Sequence, residues 1–184
     1  WTDPLKLQKQ VAILENDPSY VISCTNATIK YEDGRQGYSA YVTLTGETFT
    51  INDLMKFNFI PTCSVLMRNL ISKPFFHSAY FKSPFADWII HIINAQFGKI
   101  HFLNEYTCTY RVHKSGVWGG KEIEKQLKDK LAAIDCINHI IKNKEQKRLI
   151  GETRKESLQN LCAYYKQKCN YVLYFNYRFK LLLN

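Results

Sequence analysis

No stretch of the 184-residue sequence approaches the roughly 18 to 20 consecutive apolar residues of a membrane-spanning helix, so no segment reads as a span. The opening Trp1-Thr2-Asp3-Pro4 lacks the basic and apolar regions of a signal peptide, and nothing argues for secretion. The six cysteines (Cys24, Cys63, Cys108, Cys136, Cys162 and Cys169) include no C-x-x-C pair, which argues against zinc. Their apolar or strand-like neighbours suit reduced, buried thiols, so a reducing, cytoplasmic compartment is expected. Internal repeats, low-complexity linkers and recognisable DNA or RNA motifs are all lacking, which excludes a solenoid and weakens a nucleic-acid reading.

What is present is enough apolar content, 46%, to bury the core of one domain with an appended segment. The net charge of +9 is uneven. Residues 1–120 hold 11 Lys/Arg against 9 Asp/Glu, whereas residues 121–184 hold 14 against 7. A nearly neutral body followed by a basic segment suggests an acidic partner such as phospholipid, a phosphorylated carrier or nucleic acid. From charge alone, a solvated helix face explains the tail equally well.

Along the chain, WTDPLKLQKQVAILENDP reads as a helix with Asp3 as N-cap, Pro4 at the first helical position, Leu7, Val11 and Leu14 on its inner face, and an end near Asp17-Pro18. The β-branched and aromatic run SYVISCTNATIKYEDGRQGYSAYVTL, turned at Asp33-Gly34, predicts a hairpin. Thr50 and Asp53 form a capping pair for a short helix to about Phe57, and FIPTCSVLMRN then reads as a buried strand. Ser83-Pro84 starts a further helix, with Trp88, Ile89, Ile92, Ile93 and Phe97 inward and Gly98 as the stop. Asp87 falls in its first turn. From Lys99 to His113 strand patterning returns, and period-two alternation puts Arg111 and His113 on one face. The glycine-bearing loop HKSGVWGG follows, then basic helices ending in the aromatic YVLYFNYRFKLLL.

Three of these stretches, WTDPLKLQKQVAILENDP, FIPTCSVLMRN and FADWIIHIINAQFGKIHFLNEYTCTYRVHKSGVW, in this order and spacing resemble the family-2 glycosyltransferases of the GT-A fold. The resemblance covers roughly residues 1–118. It implies an α/β fold, the C-terminal part of a GT-A domain with a mixed sheet and flanking helices, followed by a helical basic tail. Residues 1–120 would be its acceptor-side half and 121–184 a basic helical extension. In that family an Asp opening the helix after the central strand is the general base, which implies Asp87 in FADW. The His of a Tyr-Arg-x-His run approaches the metal or the donor diphosphate, which implies His113 in YRVH. In relatives an acidic DXD-type motif directly precedes Trp-x-Asp-Pro, so the donor-binding half, with most ligands for a divalent metal (Mn or Mg), is expected upstream of Trp1.

Glycosyl transfer asks for a base, a means of neutralising a leaving diphosphate, and a pocket that aligns both sugars. Asp87 suits the first role, although an Asp in a first helical turn also simply complements the macrodipole. His91, four residues on, is placed to bond Asp87 or to extend a solvated polar stripe. His113 suits a metal through a neutral imidazole, or is an ordinary loop histidine. Arg111 suits a phosphate, or a salt bridge to a residue such as Glu105. Thr62 and Ser64 alternate on their expected strand, so their hydroxyls would line a sugar pocket while Cys63 and Val65 pack behind, or else satisfy the core. Trp88, besides packing inward, and Trp118, in a loop with the composition of a mobile lid, complete the substrate-binding candidates.

Three functions compete. The first is an inverting glycosyltransferase, or its C-terminal part, moving a sugar from a nucleotide donor to a glycan or lipid-linked acceptor. The second is a non-catalytic module derived from such an enzyme. The third, a nucleic-acid binder, rests on charge and 14% aromatics alone. The cluster Lys142, Lys144, Lys147, Arg148, Arg154 and Lys155 ahead of the aromatic end further predicts peripheral binding to an anionic membrane surface on its inner face. A strand edge left by the upstream half predicts self-association into a homo-oligomer.

Overall fold

A computed structural model describes residues 1–37, 40–71, 83, 85–117 and 120–183. Among the described residues it is an α/β structure with a mixed four-stranded sheet and six helices. The helices are α1 (Lys6–Asn16), α2 (Ile51–Lys56), α3 (Ala86–Ala95), α4 (Ile123–Ile140), α5 (Lys144–Gln167) and α6 (Tyr171–Leu182). The strands are β1 (Tyr20–Tyr31), β2 (Thr48–Phe49), β3 (Leu66–Met67) and β4 (Lys99–Val112), in the spatial order β2-β4-β1-β3. β1 and β4 run parallel from Tyr20↔Lys99 to Tyr31↔Val112, with β2 and β3 antiparallel on the outside. Residues 21–27 of β1 are all buried, as expected of a strand covered on both faces.

Gly98 shows why the strand can start where it does. A Cβ there would lie 2.5 Å from the Ser19 carbonyl oxygen and 2.6 Å from a Val21 methyl, so the absence of a side chain lets the chain enter β4 hard against β1.

Several expectations are corrected. Helix α1 starts at Lys6, and Asp3 instead accepts a hydrogen bond from the Leu5 amide (2.8 Å) in the turn before it. Its inner face is Lys6, Gln10 and Leu14, leaving Leu7 and Val11 about two-fifths exposed. The sheet beneath offers backbone carbonyls, and Gln10 donates to those of Ser23 and Ser64 while accepting from Lys6 Nζ at 2.6 Å. The Lys6 ammonium also lies 4.5 Å from the Trp1 ring centroid, and burial lowers its pKa.

The hairpin forms only as a loose reversal. β1 already has β4 alongside, and among the described residues the returning chain meets it through one backbone bond, Tyr41 to Ala27 (2.8 Å), and through the Asn26 side chain, which grips Tyr41 and Val42. Nor is FIPTCSVLMRN a strand throughout. Pro61 supplies no amide, its carbonyl accepts from Ser64 N in a turn, and only Leu66–Met67 pairs with β1. Phe97 lies beyond the end of α3 and is exposed.

Thr50 and Asp53 do cap α2, the Thr50 amide donating to the Asp53 carboxylate at 3.0 Å. Trp88 Nε1 donates to the Leu54 carbonyl (2.9 Å) and Thr153 Oγ1 to that of Met55 (2.7 Å), so α3 and α5 are both pinned to α2. One core runs from the sheet through α3 into Ala133, Ile134 and Ile137 of α4 and Ile150 of α5. A second, smaller cluster joins α5 to α6 through Leu158, Leu161 and Tyr165 against Leu173, Tyr174, Tyr177 and Leu181. Among the described residues, no helix is long and apolar enough to cross a membrane.

Candidate active site

The first turn of α3, the turn at Thr62 and the end of β4 converge on one open cleft of about 700 Å³. Asp87, Thr62, Arg111 and His113 all line it, together with Tyr41 and Tyr110. A recess of about 260 Å³ opens from the same walls. It shares Asp87, Thr62, Tyr41 and Tyr110, and adds Phe57, Asn58, Phe85, the edge of Trp88, and Lys130 of α4.

Asp87 is held from both sides. Thr62 Oγ1 donates to Oδ2 at 2.5 Å, and the Trp88 amide donates to Oδ1 at 2.8 Å. These two bonds fix the plane of a half-exposed carboxylate at the mouth of an aromatic recess. The Tyr41 and Tyr110 rings meet edge to face, 5.1 Å between centroids. Burial pushes the Tyr41 hydroxyl up to about 12, with further contributions from Tyr110 and the Asp87 charge, and burial and Asp87 also raise Tyr110. Both phenols are therefore neutral donors at physiological pH.

The remaining candidates fall in different places. Arg111 and His113 line the cleft together with Tyr110 and Val112, so its wall takes in residues of both alternating sets. Arg111 pairs with Glu32 at 3.4 Å and Glu105 pairs instead with Lys9 at 2.5 Å. His113 Nδ1 is 2.9 Å from Ser115 Oγ. Ser64 is wholly buried, its hydroxyl donating to the Pro61 carbonyl and accepting from the Thr25 amide, because the turn that replaces the expected strand rotates it away from Thr62. Trp88 is 1% exposed and belongs chiefly to the core. Trp118, with the neighbouring Gly119 of the expected lid, lies outside the described residues, as does Pro84.

His91 is not part of a solvated stripe. It is buried, Nδ1 has no hydrogen-bond partner, and desolvation lowers its pKa to about 4 despite the opposing pull of Asp87. Its native state is neutral. Since the unfolded chain takes up a proton near pH 6.5 and the native chain only near 4, stability is full above about pH 6.5 and falls as the pH drops through that window. The expected loss by pH 4 is about 3 kcal/mol, at roughly 1.4 kcal/mol per unit. Urea titrations across the range should show it, and His91→Gln should flatten the dependence; an unchanged slope in the variant would assign the acid sensitivity elsewhere.

Donors for a cation do not converge. Among the described residues no three His, Cys, Asp or Glu side chains come together. Beside His113, Glu32 is engaged by Arg111 and Asp33 by Arg35 at 2.8 Å. These residues do not by themselves fit a divalent ion.

Sequence reasoning missed Tyr41, Tyr110 and Lys130. Tyr41 sits in the irregular return after β1, and Lys130 on a helix that no local pattern ties to Asp87. Tyr110 was visible only as the neighbour of Arg111.

No family model matches the chain. Proteins from two strains of Mycobacterium tuberculosis and one of Mycobacterium bovis, each described as an uncharacterized protein, are 32% identical to it over 118 residues. The match takes in 64% of this chain and 33% of theirs, so the chain spans about a third of the length of the curated relatives it matches.

Proposed function

We propose that this chain is the acceptor-side part of an inverting, GT-A-type glycosyltransferase that moves a sugar from a nucleotide donor to a glycan or lipid-linked acceptor. The observation that carries the reading is the convergence, in one cleft, of Asp87, Thr62, Arg111 and His113 from segments up to 51 positions apart. An isolated first-turn Asp serving only the helix dipole would not need an aromatic recess beside it.

In this reading the acceptor sugar lies in the recess, its ring against the aromatic walls. Its hydroxyl passes a proton to a carboxylate oxygen of Asp87 as the oxygen attacks the anomeric carbon of the donor. The bond from that carbon to the nucleotide diphosphate breaks with its electron pair leaving on the diphosphate, and the configuration inverts. Thr62 and the Trp88 amide orient the base. Arg111 and His113, at the wider end, are the groups placed to meet diphosphate oxygens, Arg111 by exchanging Glu32 for phosphate. The divalent metal that the resemblance implies would take its ligands mainly from residues beyond this chain.

Full-length protein supplied with nucleotide sugars and manganese should therefore give a transfer product of inverted anomeric configuration, read by NMR. Residues 1–184 alone should neither transfer nor bind UDP with manganese more tightly than about 1 mM by calorimetry. A product of retained configuration overturns the mechanism. Tight nucleotide binding by residues 1–184 would place a complete donor site within them. The non-catalytic reading requires that the full-length protein give no product with any donor.

A further inference from the structure

Helix α6 carries two apolar faces. At 100° per residue, Leu173, Tyr174, Tyr177 and Leu181 occupy the side packed on α5. Val172, Phe175, Phe179 and Leu182, continued by Leu183, form an arc of about 100° on the opposite side. All five are exposed, from 61% at the two phenylalanines to 82% at Val172. The same spacing puts Arg178 on one border of the exposed arc and Lys180 on the other. Arg178 rests on the Tyr174 ring and Lys180 over the Tyr177 ring, 5.8 and 5.0 Å from the centroids. From Ser157 to the end there are four cations and no Asp or Glu.

We propose that α6 is an interfacial anchor that lies in the plane of an anionic lipid surface, with Phe175, Phe179 and Leu182 among the acyl chains and Arg178 and Lys180 at the headgroups. An apolar arc bordered on both sides by cations, with no acid to repel phosphate, is the pattern of a helix lying on a membrane. A second copy of the chain fits less well, because a two-fold contact across α6 would face each copy's bordering cations with their like. A nucleic acid would contact the cations and leave the apolar arc in water. The charge cluster from Lys142 to Lys155 differs from this arc in having acids among its cations. Arg148 there is engaged by Glu145 and Glu152, and Arg154 by Asp135.

The test uses the intact chain and vesicles of neutral phosphatidylcholine with or without 30% phosphatidylglycerol. Sedimentation should show partitioning onto the anionic vesicles at least about tenfold stronger than onto the neutral ones, weakening as salt is raised. Phe175→Ser with Phe179→Ser should lower it about tenfold or more with the circular dichroism and melting temperature unchanged, since both rings are exposed. Arg178→Gln with Lys180→Gln should remove the preference for anionic lipid. Hydrogen exchange on the unmodified chain gives an independent reading, with amides of residues 171–183 slowed by anionic vesicles. Equal partitioning onto both vesicles, slowing confined to other segments, or exposed-arc variants that abolish a dimer in sedimentation velocity while vesicle binding persists would each overturn the proposal.

Discussion

Replacing Asp87 by Asn in the full-length protein is expected, on the function proposed above, to lower kcat for transfer by roughly 100-fold or more, the usual scale for removing a general base. The amide keeps the size of the carboxylate; its oxygen still accepts from the Trp88 amide, and its NH2, in place of Oδ2, donates to the Thr62 hydroxyl once that hydroxyl turns, so the cleft keeps its shape. Binding of the donor should change little, because Asp87 stands at the aromatic recess while Arg111 and His113 stand at the wider end. The fall should therefore appear in kcat, with the KM for the nucleotide sugar close to wild type. A variant that keeps more than about a tenth of the wild-type rate would remove Asp87 from the chemistry and leave it as a helix-capping charge.

The next residue should behave in the opposite way. Trp88→Ala is expected to cost about 3 to 5 kcal/mol of stability, the range for deleting a large buried aromatic. Its ring is 1% exposed, packs edge-on to Phe85 at 6.2 Å, and ties α3 to α2 through the Leu54 carbonyl. Trp88→Phe retains much of the packing but strands that carbonyl, at about 1 to 3 kcal/mol. Chemical denaturation of both variants decides the matter: an unfolding midpoint unmoved by Trp88→Ala would show the core does not depend on it, and would return Trp88 to the list of substrate contacts. Adjacent residues on one helical turn thus carry separable readouts, rate for Asp87 and stability for Trp88.

How far the sequence reveals this arrangement depends on how local the cause is. The cap of α2 and the inward face of α3 from Trp88 to Ile93 follow from spacing within a few residues, and both are present. Helix α1 defeats the same logic. Hydropathy turns Leu7 and Val11 inward, yet Lys6 and Gln10 take the buried side because carbonyls of Ser23 and Ser64, distant in sequence, wait there to accept. His91 is another such case, a polar residue whose burial is decided by what α3 packs against. Thr62 and Ser64 part company because a proline-led turn interrupts the alternation that would have kept them together. Grouping Asp87 with Arg111 and His113 came from the resemblance, while Tyr41 and Lys130 required the folded chain.

The long parallel pair at the centre of the sheet also governs how the chain reaches this state. Tyr20 pairs with Lys99 and Tyr31 with Val112, so β1 can meet β4 only after about eighty residues have been closed into a loop. That closure costs about 4 kcal/mol of chain entropy before any ladder bond is made. Contacts between α5 and α6, by contrast, span a turn of three residues. The helical hairpin that bears the exposed arc is free to assemble on the microsecond scale of local structure, while the cleft must wait for the slowest event in the molecule, the joining of two distant strands. Freshly made chain would then present a basic, apolar surface before Asp87 and Arg111 have been brought to one cleft.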